Sequence, residues 1–351
     1  MICKKRLIVC APNVHVGGGL ILLQELLKAW PNDSDVQFYL DSRASDDLDV
    51  SSLDNVHWVK RTIFSRISYE YHLSKITSKN NVILYLNSLP LIFRTKAKQI
   101  VFMQNRNFIA DISYIRFTPK QLLRIYLERL ISYIFAHRVN QYIVQTQSLK
   151  QDLISWYPNK HSRTKPIIKV LPFITETLSN ITLYSQNKKK SIDFLYVSDG
   201  LAHKNHSNLF KAWQVLYEQG FNPSLAVTIG ANDKKLLSLI KELQIQGLNI
   251  SNLGVLPYEA TLDMYHDCKA LIYPSLNESF GMPLLEATAA GTPIIASELD
   301  FVYDVCEPFT TFNPHSALSI ARAVNRFLGN SRSLEKVQSP KAFIDYIYSL
   351  L

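Results

Sequence analysis

Cysteine is scarce in this chain of 351 residues: Cys3, Cys10, Cys268 and Cys306 lie in two loose pairs, with no CxxC and no accompanying histidine spacing. That pattern fits a reducing cytoplasm and excludes a zinc ribbon or a disulfide scaffold. Long apolar runs are also missing. After the basic cluster Lys4-Lys5-Arg6 the apolar stretch is too short for a signal peptide, and no uncharged run approaches the length of a membrane-spanning helix. Charged residues are only 19% of the chain, yet hydrophobic residues reach 47%, so disordered and fibrous classes are ruled out.

What is present is unevenly placed. Residues 1–174 hold 24 Lys and Arg against 12 Asp and Glu, whereas residues 175–351 hold 14 against 17. A basic half beside a weakly acidic half suggests two domains with different partners. Nucleic acid or an anionic membrane surface would each be drawn to the first half, and a plain basic surface needs neither.

Strand and helix patterns alternate through both halves. In the first, an apolar run Leu7–Ala11 leads through Gly17-Gly18-Gly19 into a helix, and further strands are expected at 36–40, 81–86, 99–103 and 141–144. Between the last two, Leu122–Arg138 has helical periodicity with aromatic and basic residues interleaved. That stripe reads as core or as an interfacial helix on a membrane. The second half repeats the alternation with strands at 193–197, 224–229, 270–273 and 292–296 and helices at 208–219, 234–243 and 282–290. The expected fold is therefore α/β, with two Rossmann-like doubly wound domains facing a cleft. The boundaries are residues 1–174, a polar linker over 175–190, residues 191–338, and a C-terminal helix over 339–351 that packs on either domain.

Residues just after strands should carry the chemistry of such a fold. In Pro274–Ser297 a strand ends at Tyr273 and a helix begins near Gly281. Amides of Ser279, Phe280 and Gly281 at that helix start can face ligand oxygens. Glu278 and Glu286 offer carboxylates suited to vicinal hydroxyls. On the alternative reading, Glu278 complements the helix dipole and Glu286 is a solvated helix residue. A second loop, Ser198 to His206, sets Lys204 where a diphosphate would need neutralising, unless it is only a hydrated lysine at a helix start. His203 and His206 read as surface residues or caps. Gly17-Gly18-Gly19 is not a GxGxxG dinucleotide signature, so a nicotinamide role is disfavoured. His15 stands beside those glycines. Gln104, Asn105 and Arg106 follow another strand; they can bind hydroxyls or phosphates but none is a general base at neutral pH.

The segment Glu278-SFGMPLL-Glu286, followed by GTPIIAS, resembles the E-x7-E signature of family-4 retaining glycosyltransferases of GT-B fold, the glycosyl transferases group 1. The resemblance implies that Glu278 contacts the donor sugar and Glu286 the nucleotide ribose. Lys204 and the Ser279–Gly281 amides would hold the diphosphate, with Gly18 and Gly19 closing on the donor. His15, Gln104, Asn105 and Arg106 would border the acceptor. It departs at Ser198, where many members carry an arginine, and in lacking a histidine near Gln104. It further implies a UDP- or GDP-sugar as co-substrate and a glycan or polyprenyl-diphosphate-linked oligosaccharide as acceptor, with surface polysaccharide assembly as the setting. No cofactor and no metal are expected, since Asp46-Asp47-Leu48-Asp49 reads as a solvated loop. Three rivals stand beside this reading. A nucleotide-sugar epimerase would want paired acidic bases. A degenerate protein would bind donor without turnover. A nucleic-acid binder would show a recognition signature, and none is present.

Overall fold

The computed structural model describes residues 7–31, 35–86, 88–112, 115, 117–157, 166–173 and 190–329. Its first unit contains β1 (Leu7–Ala11), α1 (Gly17–Lys28), β2 (Val36–Asp41), β3 (Val56–Val59), α2 (Ile63–Ile76), β4 (Val82–Tyr85), β5 (Lys98–Phe102), α3 (Pro119–Phe135), β6 (Gln141–Val144), α4 (Gln147–Trp156) and β7 (Ile167–Val170). All seven strands pair in parallel, in the order β3-β2-β1-β4-β5-β6-β7. Val9 of β1 stands between Phe38 of β2 and Leu84 of β4.

Alternation along β1 shows how the core divides. Ile8 and Cys10 join one apolar cluster with Leu73 of α2 and Leu149 and Leu153 of α4. Val9 and Ala11 join another with Leu23 and Leu27 of α1. Successive strand side chains point to opposite faces, so each cluster fills one side of the sheet. The right-handed crossover rule gives the same division. The step from β1 to β2 runs one way along the sheet, whereas β3 to β4, β5 to β6 and β6 to β7 run the other way. α1 therefore lies on one face and α2, α3 and α4 on the opposite one.

The second unit contains β8 (Ile192–Tyr196), α5 (His206–Glu218), β9 (Leu225–Val227), α6 (Lys234–Ile245), β10 (Ile250–Asn252), α7 (Tyr258–Asp267), β11 (Cys268–Tyr273), α8 (Met282–Ala289), β12 (Ile294–Ser297), α9 (Asp300–Tyr303), β13 (Thr310–Phe312) and α10 (Ala317–Phe327). Its parallel sheet has the order β10-β9-β8-β11-β12-β13. Both orders reverse direction once, between β1 and β4 and between β8 and β11, and loops beyond such points are where this architecture binds ligands.

The expected doubly wound α/β pair is thus observed. Elements absent from the sequence reading are β3, β7, β10, β13, α2, α4, α7, α9 and α10. Most of the expected linker and all of the helix expected over 339–351 lie outside the described residues. Cys10, Cys268 and Cys306 are free and buried.

Candidate active site between the two sheets

Two helix starts meet across the cleft. α8 begins after Gly281, whose φ of 77° is left-handed and whose Cβ, if it had one, would stand 3.1 Å from Leu284 Cδ1. Glycine meets both constraints. α1 begins in the triple glycine after Val16. Neither helix start has a side-chain cap, so their first amides carry partial positive charge toward the cleft. A Cβ on Gly18 would lie 3.6 Å from Met282 Cγ, and one on Gly19 would lie 3.6 Å from Gln104 Oε1. Gly18 thus faces the start of α8 in the opposite domain, and Gly19 faces Gln104 of its own domain, each at ordinary contact distance.

Into this setting the loop after β8 delivers Lys204. Residues 202–204 form a single 3-10 turn, and Asn205 follows with a φ of 62°. The Asn205 amide Nδ2 donates to the carbonyls of Pro274, at 3.0 Å, and Pro314, at 2.8 Å, fixing three loops together. Tyr196 donates to the Lys204 carbonyl at 2.7 Å. So held, Lys204 Nζ lies 2.7 Å from Glu278 Oε1, with both side chains largely buried. Burial opposes charge on each. For Lys204 the neighbouring Glu278 and Asp199 outweigh it and raise the ammonium's affinity for its proton. For Glu278, Lys204 and His203 outweigh it and hold the carboxyl below its usual range. Both partners are therefore ionised at neutral pH.

Histidine does not share that fate. The sequence pattern reads His203 and His206 as surface residues or caps; both are instead buried, and neither the 3-10 turn nor α5 has a side-chain cap. Burial, with the Lys204 charge beside it, lowers His203 and pushes His206 down to about 3, so both are neutral. His206 Nε2 faces Ser198 Oγ at 3.2 Å. Ser198 thus belongs to the packing beneath the loop, and neither histidine replaces the cation missing there.

Glu286 sits in α8 and is 3% exposed, which removes the solvated-helix alternative. Its Oε2 accepts from the Tyr265 hydroxyl of α7 at 2.7 Å. Burial raises its carboxyl to about 7, against the opposing pull of that hydrogen bond. Sequence reasoning missed Tyr265, which lies in another helix and carries no motif.

The first domain closes the other side. Ser279 accepts from the Arg106 amide at 2.9 Å and donates to the Gln104 carbonyl at 2.7 Å. Arg106 Nη1 donates to the Glu278 carbonyl at 3.3 Å, while its Nε lies 2.6 Å from Asp152. Asn277 donates to Asn107 at 2.7 Å, and Thr146 to the Ser279 carbonyl at 3.3 Å. Beneath them Ser88, held at a φ of 64°, accepts from the amides of Gln104 and Asn105 at 2.7 and 3.0 Å.

Of the expected residues, Lys204, Glu278, Ser279, Gln104 and Arg106 converge, while Gly18 faces Met282 and Gly19 faces Gln104. Phe280 is different, because its ring is buried in the second-domain core and only its backbone is free to face a ligand. His15 makes a local contact to the Asn13 carbonyl at 3.3 Å. The Asn105 side chain accepts from Asn107 N within its own turn. Asp152, Asn107, Thr146 and Ser88 were not anticipated.

Residues 184–348 match the family Glycosyl transferases group 1. The match covers just under half of the chain and includes Lys204, Glu278 and Glu286. The O-antigen chain mannosyltransferase RfbU of Salmonella typhimurium is 29% identical over 124 residues, 35% of this chain and 34% of the relative. The O-antigen chain mannosyltransferase B of Escherichia coli is 30% identical over 114 residues, 32% of this chain and 30% of the relative. The chain thus spans about a third of the length of these curated relatives. Among solved structures, Anabaena Alr3699/HepE in complex with UDP-glucose superposes with a TM-score of 0.66 at 14% identity, over 93% of this chain and 90% of that one. With two parallel-sheet domains on one cleft, the fold is GT-B.

Proposed function

We propose that the chain is a retaining glycosyltransferase of the family-4 type. In this reading it moves a sugar from a UDP- or GDP-sugar to a glycan or polyprenyl-diphosphate-linked oligosaccharide, during O-antigen, capsule or other surface polysaccharide assembly. The Lys204–Glu278 pair between two uncapped helix starts carries the proposal. An ammonium and converging helix amides suit a diphosphate. A carboxylate beside them suits sugar hydroxyls. The mannosyltransferase names of the relatives put mannose first among the sugars to test.

On binding, Lys204 turns from Glu278 toward the β-phosphate, and Glu278 accepts from donor-sugar hydroxyls. The Ser279–Gly281 amides meet the same ligand, and Glu286 accepts from the ribose. Arg106 supplies the guanidinium that Ser198 does not. The bond from sugar C1 to the phosphate oxygen breaks and a bond to the acceptor oxygen forms on the same face. The acceptor's proton passes to the departing phosphate oxygen, so no paired hydrolase carboxylates are needed. Charge neutralisation by Lys204 and the helix amides makes the reaction metal-independent in this reading. His15, Gln104, Asn105 and Arg106 border the acceptor. Among the described residues no helix is long and apolar enough to cross a membrane; the reading places the chain on the cytoplasmic side, where lipid-linked acceptors are built.

Thermal stabilisation by UDP, GDP, ADP and CMP, with and without magnesium, tests the donor side. A selective, magnesium-independent shift for one nucleoside diphosphate is expected. Release of that diphosphate from its mannose or glucose conjugate, lost in Lys204→Ala, then tests turnover. No shift with any nucleotide and no release would overturn the reading, and binding without release would leave a degenerate transferase.

A further inference from the structure

The first domain turns large apolar side chains outward along two helices. On α3 the exposed residues are Leu123, Tyr126, Leu127, Leu130, Tyr133 and Ile134. Their spacing traces one face of a helix, while Ile125 and Ser132 are buried. On α2 the exposed set is Ile63, Phe64, Ile67, Tyr71 and Ile76, with Phe64 86% exposed. The stripe over 122–138 is therefore divided: Ile125 and Ala136 join the core, and most of its large apolar side chains are exposed.

Both helices cover the same side of the sheet, and one segment joins them. Ile92 donates through its amide to Glu70 of α2 at 2.8 Å, and its carbonyl accepts from Arg138, just beyond α3. Phe93, next in the chain, packs edge-on against Tyr71 at 5.6 Å. Large apolar side chains exposed in series along two helices on one side of a sheet differ from the scattered single ones of an ordinary surface.

Its rim is cationic. Lys60, Arg61 and Lys75 border or lie on α2, Lys120 lies on α3, and Arg94 lies on the joining segment; all five are exposed. The acidic residues of the two helices are already engaged, Glu70 with Arg66 at 2.8 Å and Glu128 with Arg124 at 2.9 Å. Two copies of this chain placed face to face would oppose like charges, which disfavours self-association. Aromatic and aliphatic side chains ringed by Lys and Arg have the composition that binds acidic bilayers. The geometry points to an anionic lipid surface as the occupant of the α2–α3 face. The apolar side chains enter the headgroup boundary and the cations meet the headgroups. This surface stands on its own geometry, so its test reads independently of whether the chain is a transferase.

The experiment is flotation of the full chain with vesicles, without nucleotide. The probes are phosphatidylglycerol mixed with phosphatidylcholine, and phosphatidylcholine alone. Binding to the anionic vesicles is expected, with affinity at least about tenfold weaker on the neutral ones. Phe64→Glu with Leu127→Glu should abolish it at an unchanged melting temperature, because both side chains are exposed. Arg61→Glu with Lys120→Glu should weaken binding to anionic vesicles only. No binding, equal binding to both vesicles, or anionic binding that survives Phe64→Glu with Leu127→Glu would overturn the proposal. So would a wild-type dimer that the apolar double variant splits.

Discussion

Glu278 and Glu286 lie in one short segment, the first largely and the second fully buried, yet their surroundings drive them apart. Glu278 sits where two domains meet, with an ammonium at 2.7 Å, and stays ionised. Glu286 lies inside one domain with a neutral phenol as partner, and burial lifts its carboxyl to about 7. A buried carboxylate remains charged only where a cation opposes the loss of hydration. The comparison teaches that the same side chain can be a fixed anion at one end of a motif and a titrating group at the other.

The strongest way to break this contrast is Lys204→Met. It leaves Glu278 buried without its cation, and we expect a loss of about 3–5 kcal/mol in urea unfolding at neutral pH. Glu278 has a lowered folded pKa, so its contribution is present above the unfolded value and lost as pH falls through the folded one. The variant's deficit should accordingly shrink in acid. A deficit that stays constant with pH would show that the pair is not what is lost.

Glu286→Gln probes the other end. With a folded pKa near 7 against an ordinary 4.5, the folded state holds its proton longer. Wild-type stability should then fall as pH rises from about 4.5 to 7, by about 3 kcal/mol. The variant should lose that slope, and its nucleotide affinity should drop by about 1–3 kcal/mol, read by calorimetry. A pH slope that survives the substitution would assign it elsewhere. Tyr265→Phe is a gentler step: removing one hydrogen bond costs about 1 kcal/mol and moves the slope to higher pH, because the hydroxyl opposes the upward shift. Smallest in stability is Ser279→Ala, about 1 kcal/mol or less for the two bonds it makes to the first domain. Its effect should appear in small-angle scattering as a wider separation of the domains, and unchanged scattering would remove Ser279 from the closure.

The contrast also explains what could be read from sequence. Glu278, Gly281 and Glu286 share a continuous segment in which a strand end, a glycine and a helix start are visible as spacing. Parallel strands buried along most of their length, such as β1 and β11, appear as apolar runs. Edge strand β3 does not, because His57 and Trp58 face outward. Helix α2 was missed because its exposed Ile63, Phe64 and Ile67 blur the apolar period. The partners of the site residues were invisible for another reason. Asp152 is 46 residues from Arg106, and Ser279 is 173 from the amide it receives. The fold of the first domain brings Asp152 to Arg106, and the packing of the two domains brings Ser279 to it.

One hydroxyl in that packing has a consequence of its own. Ser279 Oγ both accepts from the Arg106 amide and donates to the Gln104 carbonyl, so the domains cannot part by releasing one contact and keeping the other at full strength. Loss of this one oxygen would therefore remove two bonds between the domains at once, where loss of the Asn277 amide would remove one.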